Sequence, residues 1–305
     1  MAPPAPFDQA VTAIITGDAP TLRHLLQTHP DLIHARSPGP HHSTLLHYVS
    51  ANGVENELQK TPANILEIAN ILLHAGADVN AESDAYAGHS TTLNLTATSC
   101  HPERAGVQFR LLELLLARGA ALEVPETGSI VNACLHNGRG PAAAFLAQHG
   151  ARLDLEGAAG TGRLDLVRQL YPNSTPRQRA DAMNWACQFG HADAAAWLLD
   201  QKDLPENLGL HWAAHNGHVE IVRLLLARNP DLQQRDARFQ GTAIDWALHG
   251  WQDRPETFPP DPWYEIATLL TRAGATLHPQ TREITDPRMI AALFRNKVAP
   301  PRDVS

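Results

Sequence analysis

The sequence predicts an all-α solenoid of stacked helix–turn–helix units with short or missing β-hairpins, and three observations carry that prediction. The first is a phrase that recurs with variation: ILLHAGADVN (71–80), LLLARGAAL (114–122), FLAQHGARLD (145–154), LLLARNPDL (224–232) and LLTRAGATL (269–277). Each reads as the apolar end of a helix, a stop, and a short extended exit. The second is the stop itself. Gly76, Gly119, Gly150 and Gly274 fall where a helix C-terminus calls for a left-handed residue. The third is a shorter helical piece ahead of the phrase, as in TLLHYVSANG (44–53), TLNLTATSC (92–100), IVNACLHNG (130–138), LEGAAGTG (155–162), MNWACQFGH (183–191), LHWAAHNGH (210–218) and AIDWALHGW (243–251).

Composition bounds the rest. At 305 residues, 43% hydrophobic and 18% charged, the chain is long enough for one large or two ordinary globular domains. A formal charge of -8 and no block of Lys or Arg argue against nucleic acid as a partner, because neutralising phosphates takes clustered cations. Cys100, Cys134 and Cys187 are odd in number and lack C-x-x-C spacing, which points to a reducing cytoplasm rather than a disulfide framework. The first residues, MAPPAPFDQAVTAIITGD, lack a basic n-region, and no run approaches the roughly 18 apolar residues of a span. A soluble, cytoplasmic protein with no membrane partner is expected.

A two-helix unit of ~33 residues opening on T-P-L-H-x-A is the pattern of the ankyrin repeat, and LHWAAHNGHVEIVRLLL (210–226) closely resembles it. TLLHYVSANG and GTAIDWALHG are looser versions. The resemblance extends over nearly the whole chain and implies one elongated domain over 1–305. Residues 1–40 form an N-terminal cap with a helical pair from Phe7 to His34, 41–278 hold seven repeats, and 279–305 supply a capping helix (Asp286 to Asn296) and tail. Leu46, Leu93, Val131, Leu155, Met183, Leu210 and Ile244 mark equivalent positions. The middle intervals fall short of the family period, so those repeats have lost most of the hairpin. Three others are lengthened by segments read as loops, 54–62, 99–106 and 251–262, which stand to wall off part of the groove.

Comparing the repeats with one another separates framework from site. At the His211 position stand His47, Asn94, Asn132, Glu156, Asn184 and Asp245, short polar groups at a helix start where backbone needs partners. His211 therefore reads as structural, the role its counterpart has in the family. His191 and His218, which open second helices, look like the family's turn histidine. The His215 position carries Ala51, Thr98, His136, Gly160, Gln188 and His249 in the other repeats, so the fold does not dictate it. In the ankyrin family this position and its successor, which includes Asn52 and Phe189, face the concave groove. At the Trp212 position the series runs Tyr48, Leu95, Ala133, Gly157, Trp185, Trp212, Trp246. That series reads either as packing between helices or as a hollow floored by Ala133 and Gly157, walled by indoles and extended by Phe189 and Trp251. The candidate groove residues are thus Tyr48, Asn52, His136, Trp185, Phe189, Trp212, His215, Trp246, His249 and Trp251.

No phosphate loop, nucleophile elbow or H-E-x-x-H stands in this sequence with its supporting context. The nearest approach to a catalytic cluster is Cys100-His101-Pro102-Glu103 beside His136; with His215, the residues His101, Glu103 and His136 are the acid–base candidates. His211 and His215 have helical ligand spacing but no local carboxylate or thiol, so no metal site is expected, and no cofactor. The first functional reading is a recognition module that holds a protein partner in its concave groove, as the resemblance implies. The alternative is an enzyme or a binder of a small organic ligand, its aromatic and histidine-lined pocket capped by the inserted loops. The sequence leans against an enzyme; if the chain is one, acid–base chemistry on a small organic substrate is expected.

Overall fold

The computed structural model describes residues 5–125, 128–201, 204, 209–277 and 284–294. Contacts cluster into two compact units, Met1–Arg152 and Leu153–Ser305, so the expected single domain carries an internal boundary. Among the described residues the structure is helical apart from one pair of two-residue strands.

In the first unit, α1 (Pro6–Thr16) pairs with α2 (Ala19–Thr28), and a 3-10 helix (Leu45–Ser50) pairs with α3 (Ile65–His74). Antiparallel β1 (Glu82–Ser83) and β2 (Ser90–Thr91) lead into α4 (Thr92–Thr98), the one-turn α5 (Cys100–Arg104) and α6 (Gln108–Ala117). The unit ends with α7 (Ile130–His136) and α8 (Gly140–Gln148). First helices stack in one row, with the 3-10 helix between α1 and α4 and α7 beyond; α2, α3 and α6 form the second row. Leu22, Leu46, Ile68, Leu72, Leu93 and Leu111 fill the space between rows.

The second unit repeats the plan with α9 (Leu155–Gly160), α10 (Leu164–Leu170), α11 (Pro176–Phe189), α12 (Ala192–Leu199), α13 (Leu210–His215), α14 (Val219–Leu226), α15 (Ala243–Asp253) and α16 (Asp261–Arg272). α17 (Pro287–Phe294) packs on α16 and closes the stack; the last two residues of the expected capping helix, and the tail, lie outside the described residues. Ala158, Ala186, Ala195, Ala213, Ala214 and Ala247 are fully buried here, and their methyl-sized side chains let neighbouring helices approach closely.

The expected stops are in place: Gly76, Gly119, Gly150 and Gly274 all have φ between 86 and 102, conformations an L side chain resists. Helix starts are secured by local bonds, such as the Asp154 carboxylate accepting from Gly157 N (2.8 Å) and reciprocal bonds between Thr242 and Asp245. Three local expectations are corrected. Residues 45–50 form a 3-10 rather than an α-helix, because Ser50 Oγ donates to the His47 carbonyl (2.6 Å) and competes with the helical ladder. Residues 99–106 are not a plain loop: Ser99 caps a helical turn in which Pro102 occupies the first-turn region where its missing N–H is harmless. The third inserted loop is shorter than read, since α15 runs on to Asp253.

One buried amide does the capping at the other end of α4. Gln108 Nε2 donates to the carbonyls of Thr96 (3.0 Å), Ala97 (3.1 Å) and Ser99 (3.1 Å). The amide has two hydrogens, so Gln108→Leu forfeits two net bonds and is expected to destabilise the first unit by about 2 kcal/mol. Urea unfolding of the two proteins checks this; a loss below about 0.5 kcal/mol, the size of an ordinary surface change, contradicts it.

Candidate functional site

In three repeats of the second unit the start of the second helix reaches back to the first helix of the preceding repeat. His191 Nε2 donates to the Gly160 carbonyl (3.0 Å), His218 Nε2 to the Gln188 carbonyl (2.9 Å), and Trp263 Nε1 takes the same role on the His215 carbonyl (2.9 Å). Burial lowers the pKa of both histidines, so they work as neutral donors. His47 and His211 form a second set: each Nε2 donates forward to a carbonyl of the following repeat, Ser90 and Gln234 respectively (both 3.2 Å). These four histidines are framework.

With the framework assigned, the exposed face of the first helices in the second unit carries an aromatic strip. Trp185 and Phe189, four apart on α11, stack with centroids 6.0 Å apart. Trp212 on α13 meets Trp246 on α15 edge-on at 4.9 Å. His215 packs against Trp246 at 5.7 Å and against His249 at 5.4 Å. Phe239, 66% exposed, completes the strip at 5.9 Å from Trp246. Burial holds the His215 pKa below its ordinary value, with the neighbouring His249 adding to the drop and the Trp246 carbonyl and Asp253 opposing it. His249 Nδ1 lies 3.3 Å from Asp253 on the outer edge.

Asp236 fixes the end of the strip, and sequence reasoning missed both it and Phe239. Its carboxylate accepts from the backbone N–H of Arg238 (2.9 Å), Phe239 (2.6 Å) and Gly241 (2.9 Å) and from Trp246 Nε1 (2.9 Å). Burial pushes this carboxyl up, but the four donors outweigh it and keep the pKa low. The available signal was an Asp placed just before Ala-Arg-Phe-Gln-Gly, where a side chain can bond its own turn.

The structure places Trp185, Phe189, Trp212, His215, Trp246 and His249 on the first helices of the second unit; Tyr48, Asn52 and His136 belong to the first unit, and Trp251 of the second turns elsewhere. Trp251 lies five residues beyond Trp246, about 140° round the helix, and faces Tyr264 (6.4 Å) and Arg254 rather than the strip. Tyr48 belongs to the first unit and is a core residue, 2% exposed and packed edge-on to Phe7 at 6.3 Å; burial pushes its pKa up to about 12. Asn52 is also in the first unit, where its amide donates to the Leu95 carbonyl (3.2 Å) and Thr98 Oγ1 (3.0 Å) and accepts from Tyr86 OH (2.6 Å). It lines a cavity of about 440 Å³ that Ala133 also lines. Gly157, the other expected floor residue, is buried in the second unit.

Of the acid–base candidates, His101, Glu103 and His136 belong to the first unit and His215 to the second. Glu103 is tied to Arg139 at 2.8 Å, and exposed His136 turns its Nδ1 to its own helix at the Asn132 carbonyl (2.7 Å). His101 is fixed through its backbone by Ser99. Burial pushes the thiols of Cys134 and Cys187 up to about 12, which makes them poor nucleophiles. Among the described residues no three His, Cys, Asp or Glu side chains are arranged to hold a metal ion, and no helix is long and apolar enough to cross a membrane.

Residues 155–236 match the family model described as ankyrin repeats, in three copies. Among solved structures, the crystal structure of human ASB11 ankyrin repeat domain aligns with 90% of this chain and 100% of its own, at 17% identity and a TM-score of 0.44. No curated protein matches the sequence.

Proposed function

Residues 155–236 are ankyrin repeats, and from that premise we propose that the chain is a recognition module whose second unit docks a protein partner on its aromatic strip. Ankyrin repeats are in general protein–protein interaction modules. The observation that carries the reading here is the set of half-exposed aromatic groups Trp185, Phe189, Trp212 and Trp246 on the first helices, with the exposed Phe239 in the turn before α15. Large flat side chains with one polar edge are the groups that dominate binding energy at protein interfaces, and they lose little entropy on contact. Two of the three tryptophans at this register are held by packing or by Asp236, so the surface is presented ready-formed. Three free cysteines fit work in the reducing cytoplasm.

A photo-crosslinking residue at position 239, expressed in the native host, is expected to capture a defined protein that the same residue at exposed position 220 on α14 does not. Trp185→Ala and His249→Ala are then expected to weaken binding of that protein about tenfold or more while leaving the melting temperature unchanged. Equal capture at both positions, or unaltered affinity in both variants, contradicts the proposal.

A further inference from the structure

A cavity of about 500 Å³ lies in the second unit between the end of α13, the end of α15 and the first turn of α16. One wall is apolar, built from Phe258, Pro259, Pro262 and the edge of Trp263; Phe258 is 56% exposed although it is a large apolar ring. His215 and Arg254 also line it. Arg223, Arg228 and Arg288 of the same unit each sit on a carboxylate, of Glu265, Asp200 and Asp261 respectively. Arg254 does not. Its Nη1 donates to the Trp251 carbonyl, its guanidinium stands 5.6 Å from the Trp251 ring centroid, and its Nε is buried with no hydrogen-bond partner.

A half-buried guanidinium with an unused donor is costly unless something completes it. The carboxylate next to it in sequence, Asp253, also lines the cavity and lies 3.3 Å from His249 Nδ1. Asn216, also on the rim, spends its amide on the Trp212 carbonyl (3.0 Å). Burial lowers the pKa of His215. The cavity therefore offers a cationic fork and a flat apolar wall in its lining, and a volume within the ordinary range of small-ligand sites. We propose that this cavity binds a small organic acid, a carboxylate joined by a short spacer to a flat apolar group, with the carboxylate on Arg254 and the apolar group against Phe258 and Trp263. The site is separate from the aromatic strip in its ligand chemistry and meets it only at His215.

The test titrates the full chain with 3-phenylpropanoate and, separately, with the uncharged 3-phenylpropanamide, following the Arg254 Nε–H and Trp263 indole N–H signals by NMR. The acid is expected to shift both signals saturably, and the amide to bind at least about tenfold more weakly, the loss of one charge-assisted contact. Arg254→Gln is expected to remove the preference for the acid, and Phe258→Ala to weaken acid and amide alike. Equal binding of acid and amide, or an unchanged preference in Arg254→Gln, overturns the proposal. So does response only to a longer peptide acid such as N-acetyl-glycyl-glycyl-phenylalanine. The acid–amide comparison in the unaltered protein stands even if the variants fold poorly, and none of these results bears on the crosslinking at position 239.

Discussion

Lowering the pH from 6.5 to 4 is expected to remove roughly 3 kcal/mol from the stability of the first unit through one residue, His47. Its imidazole is wholly buried: Nδ1 accepts from Thr44 N (3.0 Å), and Nε2 donates to the Ser90 carbonyl. Burial, the largest influence, lowers its pKa from 6.5 to about 4. A base whose folded pKa is depressed takes up its proton more readily when unfolded. Its contribution is therefore complete above pH 6.5, declines as pH falls through that value, and is lost by the folded pKa near 4. Urea unfolding at pH 7 and pH 4.5 is expected to differ by about 2 kcal/mol more in the native chain than in His47→Gln, which cannot take the proton. Equal pH dependence in the two proteins contradicts the assignment. His191, His211, His215 and His218 are shifted in the same direction, so the second unit also weakens toward acid.

Gly250→Ala is expected to destabilise the second unit by about 3 kcal/mol, lowering its melting temperature by roughly 6 to 12 °C. A Cβ built on Gly250 falls 1.8 Å from the His215 carbonyl oxygen, 2.7 Å from its carbon and 2.8 Å from Trp263 Nε1. Two of those atoms are backbone, so no rotamer change relieves the overlap. The added methyl must drive α13 and α15 apart, and it breaks the bond from Trp263 to the His215 carbonyl. Gly76→Ala serves as the control. Nothing lies within 4 Å of its Cβ, so only the strain of its positive φ is left, about 1 kcal/mol. Calorimetry of both variants checks the pair, and similar losses in the two would show that contact with α13 is not what requires a glycine at 250.

The parts of this protein legible in its sequence are those that repeat. Gly76, Gly119, Gly150 and Gly274 announced the helix ends, and the recurrence of short polar groups beside His211 and His47 identified them as framework. His191 and His218 were readable for the same reason, whereas Trp263 fills the same role with a different ring and from behind an inserted loop, where register is lost. The site was harder because it depends on direction rather than identity. Tyr48 occupies the same register position as Trp185, Trp212 and Trp246, yet it sits on a 3-10 helix, whose tighter turn sends it into the core beside Phe7. Trp251 was misplaced by assuming that the helix ended before it. Asp236 and Phe239 lie in a turn, where conformation follows from a few hydrogen bonds that no periodicity encodes.

The ring-to-carbonyl links from His191, His218 and Trp263 tie neighbours together in a chain, each repeat holding the one before it. In a stack stabilised by apolar contact alone, terminal repeats can fray independently; directional links add energy to each interface instead of to each repeat. The second unit should therefore melt as one block, and weakening the central link at His218 should divide that block into two separate transitions.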